Sequence, residues 1–196
     1  MTTAPTHLLY LHGFRSSPQS FKAQRMARAV AALPQPPQWW CPQLPPSPTQ
    51  AMALLKQGVA DWPVARMAIV GSSLGGFYAH VLARQIGGPV VLLNPAVYPA
   101  RDLAGYIGEH PAWHDPGQRI HFDARFIDEL RLQQATPATH TPPTLAVIAK
   151  GDEVLDWREM HAAYGHDRVR LIEGSDHAIS DFEVYLPEIL AFLGLK

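Results

Sequence analysis

Short apolar runs alternate along this chain with longer segments of helical periodicity. The apolar runs cover residues 7–12, 39–41, 67–70, 90–93, 145–149 and 169–172, and the helical segments cover 18–33, 49–60, 74–86, 156–165 and 181–193. Apolar runs without polar alternation are typical of strands that are buried on both faces of a sheet. The alternation therefore predicts an α/β fold with a mostly parallel sheet of about six strands and helices on both faces.

Two segments interrupt this alternation. Residues 34–48 contain seven prolines and predict a stiff surface connection around one short strand. Residues 95–143 separate the fourth and fifth apolar runs and contain helical pieces near 101–108 and 123–134. We interpret 95–143 as a short cap insertion over the sheet. Because no interdomain linker is evident, residues 1–196 are predicted to form a single domain.

The pentapeptide Gly71-Ser72-Ser73-Leu74-Gly75 matches the G-x-S-x-G pattern of a nucleophilic serine. That pattern places the serine at the apex of a sharp turn from a strand into a helix, where side chains in place of the glycines would crowd the turn. Here a strand is predicted over 67–70 and a helix over 74–86, so the context fits the pattern. The pentapeptide predicts the α/β-hydrolase fold, with Ser73 as the nucleophile.

A serine hydroxyl needs a general base, and in this fold the chain order is serine, acid, histidine. His177 lies after the sixth apolar run, where the base is expected. Two candidate acids, Asp152 and Asp156, follow the fifth run. Asp152 is favoured because it comes directly after the strand-ending Gly151, whereas Asp156 also suits the N-cap of the next helix. We expect Ser73, His177 and Asp152 to form the triad, with Asp156 as the rival acid.

Acyl transfer also needs hydrogen-bond donors for the developing oxyanion. The backbone N–H of Leu74, directly after the nucleophile, is one expected donor. The second is the backbone N–H of Phe14, in the loop after the first strand. Arg15 and Ser72 are candidates for substrate contact, because Arg15 follows the oxyanion loop and Ser72 precedes the nucleophile. His12 is expected to bond the backbone of its loop.

Composition and charge exclude several other classes of protein. The 196 residues are 47% hydrophobic and carry a formal net charge of −1, which indicates a globular domain without a nucleic-acid footprint. No apolar run approaches the ~20 residues of a membrane span, and no signal peptide is expected. Cys41 is the only cysteine, which favours a reducing, cytoplasmic location.

No cofactor or metal is expected. His110 and His114 have i,i+4 spacing, but Pro111 disfavours a helix there and no third ligand has suitable spacing. Cys41 has no partner motif for a catalytic thiol. The expected partner is a small acyl ester or thioester, and the oligomeric state is left open.

A set of motifs in the right order resembles the bacterial YqiA-like esterases over about residues 7–195. The resemblance implies a compact α/β-hydrolase with a short cap, hydrolysis of carboxylic esters or thioesters, and the triad of Ser73, Asp152 and His177. We expect a serine esterase for short to medium acyl chains; an acyl-CoA thioesterase and a non-catalytic interaction module are the alternatives. Residues 109–122, with Trp113, His114 and His121, depart from the family pattern. The motifs are residues 9–14 with 16–18, 42–46, 69–76, 94–97, 151–156 and the His177 loop.

Overall fold

The computed structural model describes residues 4–113, 115 and 117–195, and its elements follow the predicted alternation. The strands are β1 (His7–Leu11), β2 (Gln38–Trp40), β3 (Met67–Ser72), β4 (Val90–Leu93), β5 (Gly108–Pro111), β6 (Arg119–Phe122), β7 (Thr144–Ala149) and β8 (Arg168–Ile172). The α-helices are α1 (Phe21–Ala31), α2 (Pro48–Gly58), α3 (Leu74–Ile86), α4 (Pro99–Asp102), α5 (Arg125–Gln134), α6 (Trp157–Tyr164) and α7 (Leu186–Phe192). Short 3₁₀ turns cover Val64–Arg66, Ala104–Tyr106 and Phe182–Val184.

Within the described residues, six strands form one parallel sheet in the order β2-β1-β3-β4-β7-β8. The predicted fold class is confirmed. The strand β1 lies between β2 and β3, so the chain crosses from one side of β1 to the other between these two strands. In open parallel sheets, ligands bind at the carboxyl ends of the strands near such a reversal. The loops after β1, β3, β4, β7 and β8 all leave the sheet at this edge.

Both faces of the sheet are covered by helices. Along β1, Leu9 and Leu11 pack with α2, α3, α5 and α6, while Leu8 and Tyr10 pack with α1 and α7. All four side chains are completely buried. Burying each such leucine contributes roughly 1.5–3 kcal/mol, which explains why the central strands read as uninterrupted apolar runs.

The insertion over 95–143 differs in part from the helical pieces predicted for it. The α-helix ends at Asp102, a 3₁₀ turn follows, and the antiparallel hairpin of β5 and β6 replaces the end of the predicted helix. Gly108 has a φ of +121°, which a right-handed helix cannot contain. The second piece, α5, joins the main body: Glu129 accepts hydrogen bonds from the Ser47 hydroxyl at 2.7 Å and the Thr49 N–H at 2.9 Å.

The helix predicted over 181–193 is divided in two. A 3₁₀ turn covers Phe182–Val184, and α7 begins at Leu186. Pro187 lies in the first turn of α7, where its missing N–H is tolerated, whereas inside a continuous helix its ring would clash with the preceding turn. The proline therefore accounts for the break.

The described helices are short compared with a bilayer. The longest of them, α3, has 13 residues, whereas a membrane-spanning helix needs about 20. In the part of the chain that the structure describes, no helix is long and apolar enough to cross a membrane.

Candidate active site

Ser73 lies at a sharp turn between β3 and α3. Its backbone has φ 55° and ψ −123°, a conformation that costs roughly 1–3 kcal/mol for a residue with a side chain. Hydrogen bonds hold this strained turn in place. The Ser73 N–H donates to the Leu93 carbonyl at 3.0 Å, and the Ser73 carbonyl accepts from the N–H groups of Gly76 at 2.9 Å and Ala96 at 3.1 Å. The turn thereby presents the hydroxyl at the carboxyl edge of the sheet.

The glycines on either side of Ser73 are required by close backbone contacts. A Cβ at Gly75 would lie 2.2 Å from the Leu11 carbonyl oxygen, and a Cβ at Gly71 would lie 2.3 Å from the Gly75 carbonyl oxygen. Neither oxygen belongs to a side chain that can rotate away. The spacing of glycines in the pentapeptide therefore has a steric cause that the structure makes visible.

The hydroxyl of Ser73 begins a chain of hydrogen bonds that ends on a buried carboxylate. The Ser73 Oγ lies 3.1 Å from the His177 Nε2, and the His177 Nδ1 lies 2.8 Å from the Asp152 Oδ2. The Asp152 side chain is completely buried, and 21% of the His177 side chain is exposed. A carboxylate only accepts hydrogen bonds, so the Nδ1 carries the proton and the Nε2 is free to accept one from the serine.

The two candidate acids have different places in the structure. The Oδ1 of Asp152 accepts hydrogen bonds from the N–H groups of Val154 and Leu155, both at 2.8 Å, while its Oδ2 faces the imidazole. Asp156 caps the N-terminus of α6, where its side chain accepts from the Arg158 N–H at 2.8 Å. The structure brings Asp152 to the site and leaves Asp156 in the capping role.

The loop after β1 passes close to the nucleophile. A Cβ at Gly13 would lie 3.2 Å from the Ser73 Cβ, so a glycine lets this loop approach. Among the described residues, the backbone N–H groups of Phe14 and Leu74 donate to no backbone carbonyl. His12 bonds its loop backbone as expected: its Nδ1 lies 2.9 Å from the Gly13 carbonyl, and its Nε2 accepts from the backbone N–H of residue 44 at 3.1 Å.

Two cavities meet at Ser73 and His177. The larger cavity has a volume of about 370 Å³, and the smaller cavity about 260 Å³. Apolar side chains dominate the larger cavity, including those of Leu74, Ala96, Leu103, Tyr106, Val154 and Leu155. The smaller cavity is lined by several serines and Lys22 together with the aromatic residues Phe14, Phe21 and Trp113.

The two residues predicted to contact substrate border different cavities. Arg15 lies in the wall of the larger cavity, where its Nε donates to the Pro111 carbonyl at 2.8 Å and its guanidinium stacks 4.2 Å from the centre of the Trp113 ring. Ser72 is buried at the end of β3 and lies in the wall of the smaller cavity. The cap hairpin thus fixes the position of Arg15 beside the nucleophile.

A sequence model of the uncharacterised protein family UPF0227 matches residues 7–194. The chain belongs to this family. The resemblance to YqiA-like esterases indicated by its motifs is thereby confirmed. The match covers every strand of the sheet and the three residues of the hydrogen-bonded chain.

Solved structures show the same fold at low sequence identity. Mouse alpha/beta hydrolase domain-containing protein 10 is 15% identical, with 98% of this chain and 91% of that chain covered and a TM-score of 0.70. Est1E from Butyrivibrio proteoclasticus is 15% identical, with coverages of 99% and 90% and a TM-score of 0.67. A structure from work on LipS and LipT, two metagenome-derived lipolytic enzymes, is 21% identical, with coverages of 98% and 95% and a TM-score of 0.70. These similarities establish the α/β-hydrolase fold of this UPF0227 member.

Three residues that support the His177 loop were not predicted as site residues. Asn94, buried at the end of β4, donates from its Nδ2 to the carbonyls of Asp176 at 3.0 Å and His177 at 3.2 Å. Glu153 accepts from the His177 N–H at 2.9 Å, and Lys22 donates to the His177 carbonyl at 3.2 Å. Asn94 follows a predicted strand, which is a detectable signal. Lys22 lies on α1, far from the triad in sequence, and no motif marks it.

Cys41, His110 and His114 were not expected to support thiol or metal chemistry. Burial raises the pKa of the Cys41 thiol to about 12, so this side chain remains protonated at neutral pH. His110 bonds the Tyr106 carbonyl at 2.9 Å through its Nε2. His114 lies outside the described residues. Among the residues that the structure describes, no three histidine, cysteine, aspartate or glutamate side chains cluster as a metal site would require.

Proposed function

We propose that this UPF0227 member is a serine hydrolase that cleaves carboxylic esters through an acyl-enzyme on Ser73. The observation that carries the proposal is the continuous hydrogen-bonded chain from the Ser73 hydroxyl through His177 to the buried Asp152. A nucleophile in contact with a base, and a base oriented by a third group, is the arrangement that activates a serine.

The geometry supports a two-step displacement. The Ser73 Oγ attacks the acyl carbon while the His177 Nε2 takes the hydroxyl proton, and Asp152 stabilises the resulting imidazolium. The N–H groups of Phe14 and Leu74 are the proposed donors to the oxyanion, and such a donor lowers the barrier by about 3–4 kcal/mol. His177 then gives its proton to the leaving alcohol. Water, activated by the same imidazole, releases the acid and regenerates the serine.

The larger cavity supports an apolar acyl group of modest size. Its volume of about 370 Å³ is near the lower end of the roughly 300–1,000 Å³ range of small-molecule sites. Its apolar lining favours an aliphatic or aromatic acyl group, while Ser73 and His177 lie at its end. Short to medium acyl chains therefore suit this cavity best. One structural neighbour comes from work on lipolytic enzymes of the lipase and esterase families, which supports ester hydrolysis but carries no information on chain length.

A second candidate activity is hydrolysis of acyl-CoA thioesters by the same triad. The observation that favours it is the position of Arg15, whose guanidinium is held in the wall of the larger cavity by Pro111 and Trp113. A fixed guanidinium is suited to a phosphate or carboxylate of the substrate. Oxygen and sulfur esters of one acyl chain distinguish the two activities.

The direct experiment compares Ser73→Ala with Ser72→Ala on p-nitrophenyl butyrate and on the corresponding acyl-CoA. Ser72→Ala is the comparison, because Ser72 is the neighbouring serine and, as a candidate substrate contact, its loss should cost far less than loss of the nucleophile. We expect Ser73→Ala to lose at least about 10³-fold in kcat, and Ser72→Ala to stay within about tenfold of the wild type. Wild-type turnover by Ser73→Ala would show that the nucleophile is wrong. A wild type that cleaves no ester or thioester would favour the non-catalytic alternative.

A further inference from the structure

Lys22 reaches from α1 to the loop that carries the proposed base. Its Nζ donates to the carbonyls of Ala178 at 2.7 Å and His177 at 3.2 Å. Lys22 also lies in the wall of the smaller cavity, together with Ser73 and His177. A lysine ammonium is strongly hydrated. Burial of the apolar stem alone therefore does not explain why this ammonium lies against two backbone carbonyls.

Both the N–H and the carbonyl of the His177 backbone are hydrogen-bonded to side chains. Its N–H donates to the Glu153 carboxylate at 2.9 Å, and its carbonyl accepts from both Lys22 and Asn94. These hydrogen bonds hold a loop whose backbone conformation is unfavourable. Ser175 has a φ of +64° and Ile179 has a φ of +49°, which is an outlier conformation for a β-branched residue. The position of the imidazole therefore depends on the groups that hold the loop.

Three carboxylates attract the Lys22 ammonium electrostatically. Asp152 and Glu153 belong to the loop after β7, and Asp176 belongs to the loop after β8. Tyr10 and His12 border the same cavity from the β1 side. Desolvation lowers the pKa of Lys22 to about 8 in spite of these carboxylates. Holding the charged form at neutral pH thus makes the fold less stable than it would be with a neutral side chain.

We propose that Lys22 is a positioning residue for the catalytic imidazole, one that fixes the His177 backbone and supplies the cation that balances the carboxylates around it. This inference rests on the proposed function. The hydrogen bonds from Lys22 to two carbonyls keep the His177 Nε2 directed at Ser73. A displacement of a reacting group by about 1 Å can lower the rate 10²-fold.

A purely structural lysine and a positioning lysine have different consequences when the charge is removed. In Lys22→Met, the apolar stem remains and the unfavourable burial of charge is removed. A structural role predicts a lower melting temperature with normal kinetics. The positioning role predicts a loss of kcat at a temperature where the variant is fully folded, because the loss concerns the imidazole and not the fold.

The experiment measures kcat, KM and the melting temperature in the wild type, Lys22→Met and Lys22→Arg, with the neutral ester p-nitrophenyl butyrate as substrate. Lys56→Met, an exposed lysine of α2, is the matched control. We expect Lys22→Met to lose about 30–100-fold in kcat with KM within about threefold. Lys22→Arg keeps a charged hydrogen-bond donor and should recover most of the lost kcat.

Several results would overturn the proposal. A Lys22→Met protein with wild-type kcat would do so, as would one that loses thermal stability with unchanged kinetics. A Lys22→Arg protein that loses as much kcat as Lys22→Met would contradict the role of the charged donor. An increase in KM confined to anionic esters would instead identify Lys22 as a substrate contact. Failure of the proposed function is separate: it appears as a wild-type activity that Ser73→Ala does not abolish.

Discussion

Replacing Asp152 with asparagine removes the charge of the buried acid while keeping its shape. The carboxylate accepts three hydrogen bonds: Oδ1 accepts from the N–H groups of Val154 and Leu155, and Oδ2 accepts from the His177 Nδ1. An amide has only one accepting oxygen. It satisfies two of these donors when that oxygen faces the backbone, and only one when the oxygen faces the imidazole. The first orientation is therefore expected.

That orientation turns the amide NH₂ toward His177. The Nδ1 must then accept a hydrogen bond, so the imidazole proton moves to the Nε2. A protonated Nε2 cannot take the proton of Ser73, which lies 3.1 Å away. We expect kcat to fall by about 10⁴-fold, the loss that a wrong tautomer causes in a serine triad. The free energy of unfolding should change by less than about 2 kcal/mol, because two backbone hydrogen bonds remain.

The assay is ester hydrolysis at neutral pH together with urea unfolding, and Asp156→Asn is the control. Asp156 caps α6 and takes no part in the hydrogen-bonded chain, so its variant should keep activity within about threefold and lose at most ~1 kcal/mol of stability. More than a tenth of the wild-type rate in Asp152→Asn would contradict the role of Asp152 as the acid. A larger loss of activity in Asp156→Asn than in Asp152→Asn would contradict it as well.

Three further predictions concern the glycine turn, a buried histidine and the cap. Gly75→Ala places a methyl group 2.2 Å from the Leu11 carbonyl oxygen, so urea unfolding should show a loss of at least about 2 kcal/mol; an unchanged midpoint would contradict the contact. Burial lowers the pKa of His80 to about 4, below its unfolded value, so its contribution to stability is present at pH 7.5 and decreases as the pH falls. Between pH 7.5 and pH 5 the wild type should lose about 2 kcal/mol more than His80→Gln, and parallel losses in the two proteins would contradict this. Trp113→Ala removes the ring against which Arg15 stacks, so KM should rise about threefold to tenfold while kcat and thermal stability stay near wild type; an unchanged KM would exclude Trp113 from substrate binding.

The sheet was predictable because burial on both faces leaves a strong signal in the sequence. The run over 90–93 coincides with β4, and 67–70 lies within β3, because every residue of these strands is buried. The cap hairpin was missed for the opposite reason. Its strands, Gly108–Pro111 and Arg119–Phe122, are short and mostly polar, and they contact residues distant in sequence, as Pro111 does with Arg15 and Phe122 with Phe14. The hydrophobic periodicity of a segment does not indicate such contacts.

The residues of the candidate site could likewise be predicted only in part. Ser73, Asp152 and His177 each follow a predicted strand, so chain order and a pentapeptide were enough to select them. Asp152 and Asp156 could not be separated fully from the sequence, because both suit a turn before a helix; only the three-dimensional arrangement shows which carboxylate faces the imidazole. Lys22 left no signal at all, since its role depends on where α1 passes beneath a loop that lies more than 150 residues later in the chain.

Covalent labelling shows directly whether Ser73 is an activated nucleophile. The protein is incubated with a fluorophosphonate, its intact mass is measured, and the modified peptide is mapped. We expect one adduct per chain, located on Ser73. The adduct should be abolished in Ser73→Ala, preserved in Ser72→Ala and slowed strongly in Asp152→Asn. An unlabelled wild type, or an adduct on a different residue, would contradict the role of Ser73.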